Sequence, residues 1–281
     1  MMSQHPETAP RPAISLQPEE GWHCHHWFYR FDRQALKRLT PAEKTQACEE
    51  FREVLTPPAE SAPARLQTYL IMGHKADFGL MMLDADPLKL DGLHHRLMGS
   101  AMGAAIVPTW SFVSLTEVSE YLPTPEAYAE RLQKEGLSPE SPEFVQRTSQ
   151  YAKRYDIMRK QRLNPDLPDW PAFCFYPMNK RRRPEANWFM LNFEERERLM
   201  AEHGETGLKF AGRVTQLVTV GIGLEDWEWG VTLWARNPQY LKEIVYRMRF
   251  DEASARYADF GPFYSGYRAS PEQILDHCGI R

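Results

Sequence analysis

Three side chains that can bind anions, move protons or ligate a metal fall between residues 172 and 204, and they are Tyr176, Lys180 and His203. Residues 172–180 are rich in aromatic residues, which is typical of a strand, and alternate side chains of a strand share a face. Tyr176, Met178 and Lys180 therefore line one surface with a phenol, a thioether and an ammonium. Because Pro177 cannot donate to a ladder, the pattern predicts an edge strand or a bulge there. A tyrosine on a strand often serves only packing, so the spacing leaves the chemistry open.

His203 is the third of these side chains and ends a helix that the sequence predicts over residues 193–203. Asn192 is the expected N-cap, Glu195 completes a capping box, and Gly204 is expected to stop the helix. His203 continues the apolar stripe of this helix, so it is expected to point inward. The helix dipole alone also favours a histidine in the last turn, so a ligand and a purely structural residue both remain open.

Gln216 is a polar residue in an otherwise apolar row. It shares one face of a predicted strand over residues 214–220 with Val214, Val218 and Val220. A buried amide needs a hydrogen-bond partner, which is either a neighbouring backbone group or a bound molecule.

The composition is typical of a globular protein of one large core or two domains. The chain has 281 residues, of which 42% are hydrophobic and 26% charged, and its formal net charge is −4. No overall basic field points to a nucleic acid, and no apolar run approaches the roughly 18 residues of a membrane helix. The N-terminus lacks the layout of a secretory signal. We therefore expect a cytoplasmic protein with a disordered arm over residues 1–21.

The cysteines and clustered histidines do not indicate a metal site or a disulfide framework. The four cysteines form no CxxC pair, which agrees with a reducing compartment. The run HCHH at residues 23–26 lies in a predicted strand, where alternate members face opposite sides and cannot converge on one ion.

The predicted elements occur twice in the same order of strand, helix, strand, strand, helix and strand. The first set lies in residues 22–121 and is His25–Phe31, a helix capped by Thr40, Thr68–Met72, Phe78–Leu83, a helix opened by Asp86, and a strand at Trp110–Val113. The second set lies in residues 172–281 and is Phe173–Met178, Phe193–His203, Val214–Val220, Trp229–Trp234, a helix opened by Asn237, and Tyr264–Tyr267. The repeat predicts an α+β fold of duplicated ferredoxin-like units, with antiparallel sheets forming a barrel and helices outside.

A connecting insertion over residues 122–171 separates the two units. Prolines interrupt it, and only residues 143–158 are expected to be helical. The insertion carries Arg162 close to the start of the second unit.

Four features in a fixed order resemble one known family. They are YPMNK at Tyr176–Lys180, His203 at a helix end, Gln216 on the next strand, and MRFDEAS at Met248–Ser254. Together they resemble the coproheme decarboxylases of the chlorite dismutase-like haem proteins. The resemblance runs from about Trp22 to Tyr267.

The resemblance implies a duplicated ferredoxin-like barrel that assembles as a homopentamer and binds iron coproporphyrin III, or coproheme, in its C-terminal unit. It implies oxidative decarboxylation of two propionates by hydrogen peroxide through a tyrosyl radical, with haem b as product. Coproheme is then both substrate and redox centre. A transient contact with a coproporphyrin ferrochelatase is implied as well.

The same resemblance implies roles for individual residues. His203 corresponds to the axial ligand of the iron, and Tyr176 and Lys180 to the catalytic residues. The implied substrate contacts are Arg162, Tyr176, Pro177, Met178, Asn179, Lys180, Gln216 and Ser254. Trp188 and Trp227 are expected to be packing residues with at most a minor part in hole transfer.

Two positions separate the alternatives within this family. Asn179 departs from the pattern, since relatives commonly carry serine there, although a small hydrogen-bonding side chain is kept. At the position of Gln216 the chlorite-degrading relatives carry an arginine, so the uncharged amide favours decarboxylation. Chlorite dismutation and non-enzymatic haem binding are the alternative functions.

Overall fold

The computed structural model describes residues 14–280. The strands are β1 (His23–Phe31), β2 (Arg65–Ile71), β3 (Phe78–Asp84), β4 (Ile106–Thr116), β5 (Ala172–Lys180), β6 (Arg182–Arg183), β7 (Ala186–Asn187), β8 (Val214–Val220), β9 (Trp229–Ala235), β10 (Ala258–Phe260) and β11 (Tyr264–Arg268). The α-helices are α1 (Arg33–Arg38), α2 (Pro41–Leu55), α3 (Pro87–Gly99), α4 (Pro125–Lys134), α5 (Pro142–Leu163), α6 (Phe193–Leu208), α7 (Pro238–Met248), α8 (Glu252–Tyr257) and α9 (Pro271–His277).

The two halves of the chain have the same strand order, and all their pairings are antiparallel. The first half is ordered β2-β3-β1-β4 and the second, in the corresponding direction, β8-β9-β5-β11. Strand β11 pairs with β2, and β4 pairs with β8, so the pairings run through both halves and return to their starting strand. The predicted α+β class with a large antiparallel sheet is confirmed, and each half shows the order of a ferredoxin-like unit.

Alternation along the strands separates two kinds of core. Side chains such as Phe28, Phe112 and Phe175 come from strands of both halves and pack together without helical residues. The opposite face of the second half packs under α7, where Ile244 and Met248 contact the strands. Tyr176 belongs to this second face, so the candidate chemistry lies between sheet and helices.

Helix starts follow the sequence signals closely because capping is local. Thr40 and Glu43 form both halves of a capping box at α2, while Asp86 and Asn237 cap α3 and α7 through their side chains. Among the helices of residues 14–280, none has both the length and the apolarity to cross a membrane.

The expectation of an edge strand or a bulge at Pro177 is wrong, since the register between β5 and β9 runs without a shift from Ala172 to Met178. Strand β5 pairs with β9 on one side and with β11 and then β10 on the other. The carbonyl of Pro177 accepts the N–H of Gly261, which lies in the connection between β10 and β11. On this side, β5 pairs with β11 up to Phe175 and with β10 from Met178 onward, so Pro177 lies between the two ladders. The missing N–H of Pro177 therefore costs no hydrogen bond of either ladder.

The expected stop at Gly204 is also wrong, since α6 continues to Leu208. Neither Gly204 nor Gly207 has the positive φ of a left-handed stop, and a Cβ at Gly207 would lie 3.2 Å from the Met248 methyl. A glycine in the last turn thus lets α6 approach α7 closely. At the start of α6, Asn192 accepts the N–H of Glu195, which is one half of the predicted capping box.

The insertion holds two helices, where one was expected over residues 143–158. Helices α4 and α5 begin with Pro125 and Pro142, capped by Thr124 and Ser141. Proline in the first turn loses no intrahelical bond, so these prolines start helices instead of interrupting the chain.

The first thirteen residues of the predicted arm lie outside the described residues. Beyond them, the carbonyl of Leu16 lies 3.0 Å from His23 Nε2, and Glu20 pairs with Arg159 on α5. This part of the arm therefore contacts both β1 and the insertion.

Candidate active site

Tyr176 lies on the face of β5 that packs under the helices. Its side chain is nearly buried, and its ring stacks on Phe263 with centroids 4.4 Å apart. Within residues 14–280 its hydroxyl makes no hydrogen bond. Burial raises the pKa of this hydroxyl far above its ordinary value, so the phenol keeps its proton at neutral pH.

Lys180 follows on the same face, at the end of β5. Its Nζ lies 3.9 Å from the centroid of the Trp188 ring and 3.5 Å from the carbonyl oxygen of Ala253. Burial lowers the pKa of Lys180 to about 8, against the opposing effect of Asp251 and Glu228. The ammonium is therefore mostly charged at pH 7 and loses its proton within a unit or so above it.

His203 lies on α6 and is tied to a carboxylate from the start of α8. Its Nδ1 is 3.0 Å from Oδ2 of Asp251, whose side chain is only 1% exposed. Burial raises the pKa of Asp251, but hydrogen bonds from His203 and Ser254 outweigh it, so the pKa is lowered. Because an ionised carboxylate only accepts, Nδ1 carries the proton and Nε2 is the atom free to ligate a metal.

Asp251 was not singled out by the sequence, although it lies in the MRFDEAS run. It is the N-cap of α8, and its Oδ1 accepts the N–H of Ser254 at 2.8 Å. An Asp just before a predicted helix signals a cap, but nothing local indicates its partner 48 residues earlier.

Ser254 has its hydroxyl within this cluster. Its Oγ lies 3.2 Å from Asp251 Oδ2 and 3.4 Å from His203 Nδ1. The predicted contact between Ser254 and substrate stays a prediction, and the bond that the structure shows is the one to Asp251.

The cluster around His203 and the surface of β5 lie side by side. The carbonyl of Ala253, which Lys180 approaches, is two residues from Asp251. The charge of Asp251 also acts on the pKa of Lys180. The fold thus brings together His203 and Lys180, which the sequence predicted for one site.

Gln216 and Arg162 are polar side chains to which the described residues 14–280 offer no hydrogen-bond or ion-pair partner. Gln216 faces the helices on β8 and lies beside Leu233 of β9. Arg162 is near the end of α5. The carbonyl of the next residue, Leu163, accepts a hydrogen bond from the hydroxyl of Thr116 at 2.8 Å. Neither side chain makes a hydrogen bond or an ion pair in the described part of the chain, and burial lowers the pKa of Arg162. A half-buried guanidinium without an anion is suited to binding a carboxylate.

The remaining predicted contacts lie in the β5 run. Met178 shares the face of Tyr176, whereas Pro177 and Asn179 point to the other side. The Oδ1 of Asn179 accepts the N–H of Glu228 at 2.7 Å. Its side chain is therefore engaged within the protein, and a contact with substrate stays a prediction.

The two tryptophans are placed differently. Trp188 is buried beneath the ammonium of Lys180 and meets Tyr257 edge to face. Trp227 packs against the core shared by the two halves. Only Trp188 adjoins the candidate site directly.

Comparison with known proteins shows which family this chain belongs to. A family model described as chlorite dismutase matches residues 44–269. Coproheme decarboxylase of Staphylococcus carnosus is 38% identical over 260 residues, covering 92% of this chain and 95% of the relative. Coproheme decarboxylase of Oceanobacillus iheyensis is 34% identical, covering 93% of this chain and 97% of the relative.

Solved structures extend the comparison to the fold. A heme-binding protein from Thermus thermophilus superimposes with a TM-score of 0.76 at 35% identity, over 93% of this chain and 96% of that one. A chlorite dismutase from Candidatus Nitrospira defluvii reaches a TM-score of 0.69 at 15% identity, over 92% and 96%, which shows a shared fold. The family model covers most of the chain, and relatives more than 30% identical match over nearly their whole length. The resemblance seen in the sequence is therefore confirmed, and the chain belongs to the chlorite dismutase family.

Proposed function

We propose that this protein decarboxylates iron coproporphyrin III to haem b, with hydrogen peroxide as oxidant. The observation that carries the proposal is the imidazole of His203, held at Nδ1 by Asp251 with Nε2 left free, beside the surface of Tyr176 and Lys180. The coproheme decarboxylases that match over more than nine tenths of this chain act on the same substrate.

The residues present fit an iron porphyrin with several carboxylates. A neutral imidazole is a common axial ligand of haem iron. Arg162 and Lys180 are cationic side chains that no carboxylate of the described residues pairs with directly, and the amide of Gln216 is unpartnered. Substrate carboxylates would supply the missing partners of these cations.

When bound, the iron porphyrin supplies a metal centre that peroxide oxidises and the propionate groups that are to be cleaved. His203 would hold the iron through Nε2, since Asp251 keeps the proton on Nδ1 and Nε2 retains its lone pair. Asp251 also fixes the ring plane, since the aspartate is itself held by the N–H of Ser254.

Tyr176 is proposed to relay the oxidation as a tyrosyl radical. Its hydroxyl is protonated and makes no hydrogen bond within residues 14–280. This hydroxyl gives up an electron and a proton, and the resulting radical takes a hydrogen atom from the propionate carbon next to the ring. Each propionate then loses carbon dioxide and a second electron and becomes a vinyl group. The two electrons from each group reduce one hydrogen peroxide to water, so two rounds use two peroxides.

Lys180 is proposed to hold a propionate carboxylate and to manage protons. It lies on the same face of β5 as Tyr176, and its lowered pKa lets the ammonium release and regain a proton near neutral pH. Gln216 can donate to a ligand but is a poor base, so chlorite chemistry is not expected.

We infer further that the closed circuit of strand pairings is a barrel with the helices outside, formed by units over residues 22–121 and 172–281. The pairing of β5 with β9, together with β11–β2 and β4–β8, supports this view. By resemblance we propose a cytoplasmic homopentamer that receives its substrate from a coproporphyrin ferrochelatase. Light scattering of the purified protein would give five times the monomer mass, whereas a monomer mass would contradict the assembly.

The direct test is to add ferric coproheme and hydrogen peroxide to the purified protein and to analyse the porphyrin by mass spectrometry. We expect loss of two carbon dioxide molecules and formation of haem b. Tyr176→Phe should bind coproheme normally and stop turnover, whereas the exposed Tyr246→Phe should behave as wild type.

Three outcomes would contradict parts of this proposal. Tight haem b binding without conversion of coproheme would indicate a carrier, and rapid oxygen release from chlorite would indicate chlorite dismutation. Full activity of Tyr176→Phe would remove the radical relay.

A further inference from the structure

Glu228 is a buried carboxylate to which the mechanism above gives no role. It is 5% exposed and directly precedes β9. Its Oε2 accepts the backbone N–H of Lys180 at 2.7 Å, and its Oε1 pairs with the guanidinium of Arg182. Its own N–H donates to Asn179 Oδ1 at 2.7 Å. A buried carboxylate is costly unless it is paired and hydrogen-bonded, and here the N–H of Lys180 and the guanidinium of Arg182 offset that cost.

These contacts hold the end of β5 on the side where its pairing with β9 has already ended. The ladder between β5 and β9 ends with Met178 opposite Trp229, so the N–H of Lys180 lies beyond the last backbone pair. The carboxylate of Glu228 accepts that N–H in place of a strand. On the other side Lys180 pairs with Ala258 of β10, so its backbone is fixed from both sides.

We propose that Glu228 is a positioning residue, which fixes the end of β5 so that the Lys180 ammonium stays over Trp188, facing the substrate carboxylates. The inference rests on the proposed function of Lys180. The backbone N–H of Glu228 donates to Asn179 Oδ1, so Asn179 helps to hold Glu228 in place. In this proposal Asn179 acts through Glu228 and does not touch substrate.

The charge of Glu228 gives this role a specific signature. The Lys180 ammonium contacts the Trp188 ring and the Ala253 carbonyl, and the charges of Asp251 and Glu228 raise its pKa. The guanidinium of Arg182 pairs with the other carboxylate oxygen of Glu228, Oε1. Glu228→Gln keeps an oxygen for the N–H of Lys180 but removes the charge, so the pKa of Lys180 falls.

The test compares Glu228→Gln with Glu225→Gln. Glu225 lies in the same connection between β8 and β9, and its carboxylate also accepts a backbone N–H at 2.7 Å, that of Val113. In protein without porphyrin, acetylation of Lys180 by acetic anhydride across pH is followed by peptide mass spectrometry. The pH at which the acetylation rate of Lys180 is half-maximal reports its pKa. We expect this pH midpoint to fall by about half a unit in Glu228→Gln and to stay unchanged in Glu225→Gln.

With coproheme and peroxide, we expect Glu228→Gln to lower kcat by about fivefold or more, since the ammonium is less often charged and in place. An unchanged acetylation midpoint in a folded Glu228→Gln variant would overturn the inference. If wild type does not convert coproheme, the proposed function fails, while the acetylation result still decides whether Glu228 acts on Lys180. If Glu228→Gln does not fold, Asn179→Ala replaces it, and wild-type kcat and KM in that variant would equally overturn the inference.

Discussion

Replacing Asp251 by Asn should weaken coproheme binding without weakening the fold. Oδ1 of Asp251 accepts the N–H of Ser254, and Oδ2 accepts the proton of His203 Nδ1 at 3.0 Å. Asparagine caps helices about as well as aspartate, so α8 should keep its start. The amide oxygen of asparagine can still accept the N–H of Ser254. The amide NH2 that replaces Oδ2 cannot accept the proton of His203 Nδ1.

The imidazole then has two choices, and both harm ligation. If Nδ1 keeps its proton, the ring loses its acceptor and its fixed orientation. If Nδ1 accepts from the new amide, the proton moves to Nε2, the atom that must bind the iron. Carboxylates that orient a ligating histidine are typically worth about 10- to 100-fold in metal affinity, or about 1.4–2.8 kcal/mol. We expect an increase in Kd for coproheme within this range.

The assay is a titration of the protein with ferric coproheme, followed by the Soret absorbance, with the iron–histidine stretch measured by resonance Raman. Asp86→Asn is the matched control, since Asp86 also caps a helix and its Oδ1 accepts the N–H of Leu88 at 2.9 Å. Its Kd should equal that of wild type. Wild-type affinity and an unshifted iron–histidine stretch in Asp251→Asn would refute the reasoning.

Three further outcomes are expected. Arg162→Ala should raise the Kd for coproheme about tenfold or more through loss of a charge-assisted bond, while the paired Arg159→Ala should not; equal affinities would remove Arg162 from the site. The kcat/KM should fall as the pH rises through about 8, where Lys180 loses its charge. In Lys180→Arg this fall should occur at higher pH. A kcat/KM that stays constant up to pH 9 in the wild type would contradict the role of Lys180. Burial lowers the pKa of His25 to about 4 from its ordinary value of 6.5. In the unfolded chain His25 takes up a proton below about pH 6.5, whereas in the folded protein it does so only below about pH 4. The free energy of unfolding therefore falls by up to about 3 kcal/mol as the pH falls from about 6.5 to about 4. Urea unfolding of His25→Leu should show less loss between pH 7 and 4, and an identical pH dependence would count against this account.

The sequence was informative where a signal is local. Alternation along β5 correctly placed Tyr176 and Met178 on one face, and caps such as Thr40 marked helix starts. The repeated order of elements predicted the same strand order in both halves, as the pairings confirm.

The sequence was less informative where a partner lies far along the chain. Pro177 was interpreted as an edge residue because nothing nearby shows that β5 changes partner from β11 to β10. Beyond Gly204, α6 continues with Gly207 close to Met248 of α7, and glycine alone does not require a left-handed stop. Asp251 and Glu228 escaped notice because each acts on a residue nearly fifty positions away.

The central claim is that His203 holds the iron of coproheme while Tyr176 lies against one of its propionates. A crystal structure of the coproheme complex of Tyr176→Phe, which should not turn over, tests this most directly. We predict the iron bonded to His203 Nε2, the aromatic ring at position 176 beside a propionate, and a carboxylate on Arg162 or Lys180. Iron bound to another residue, or that ring out of reach of every propionate, would contradict the account.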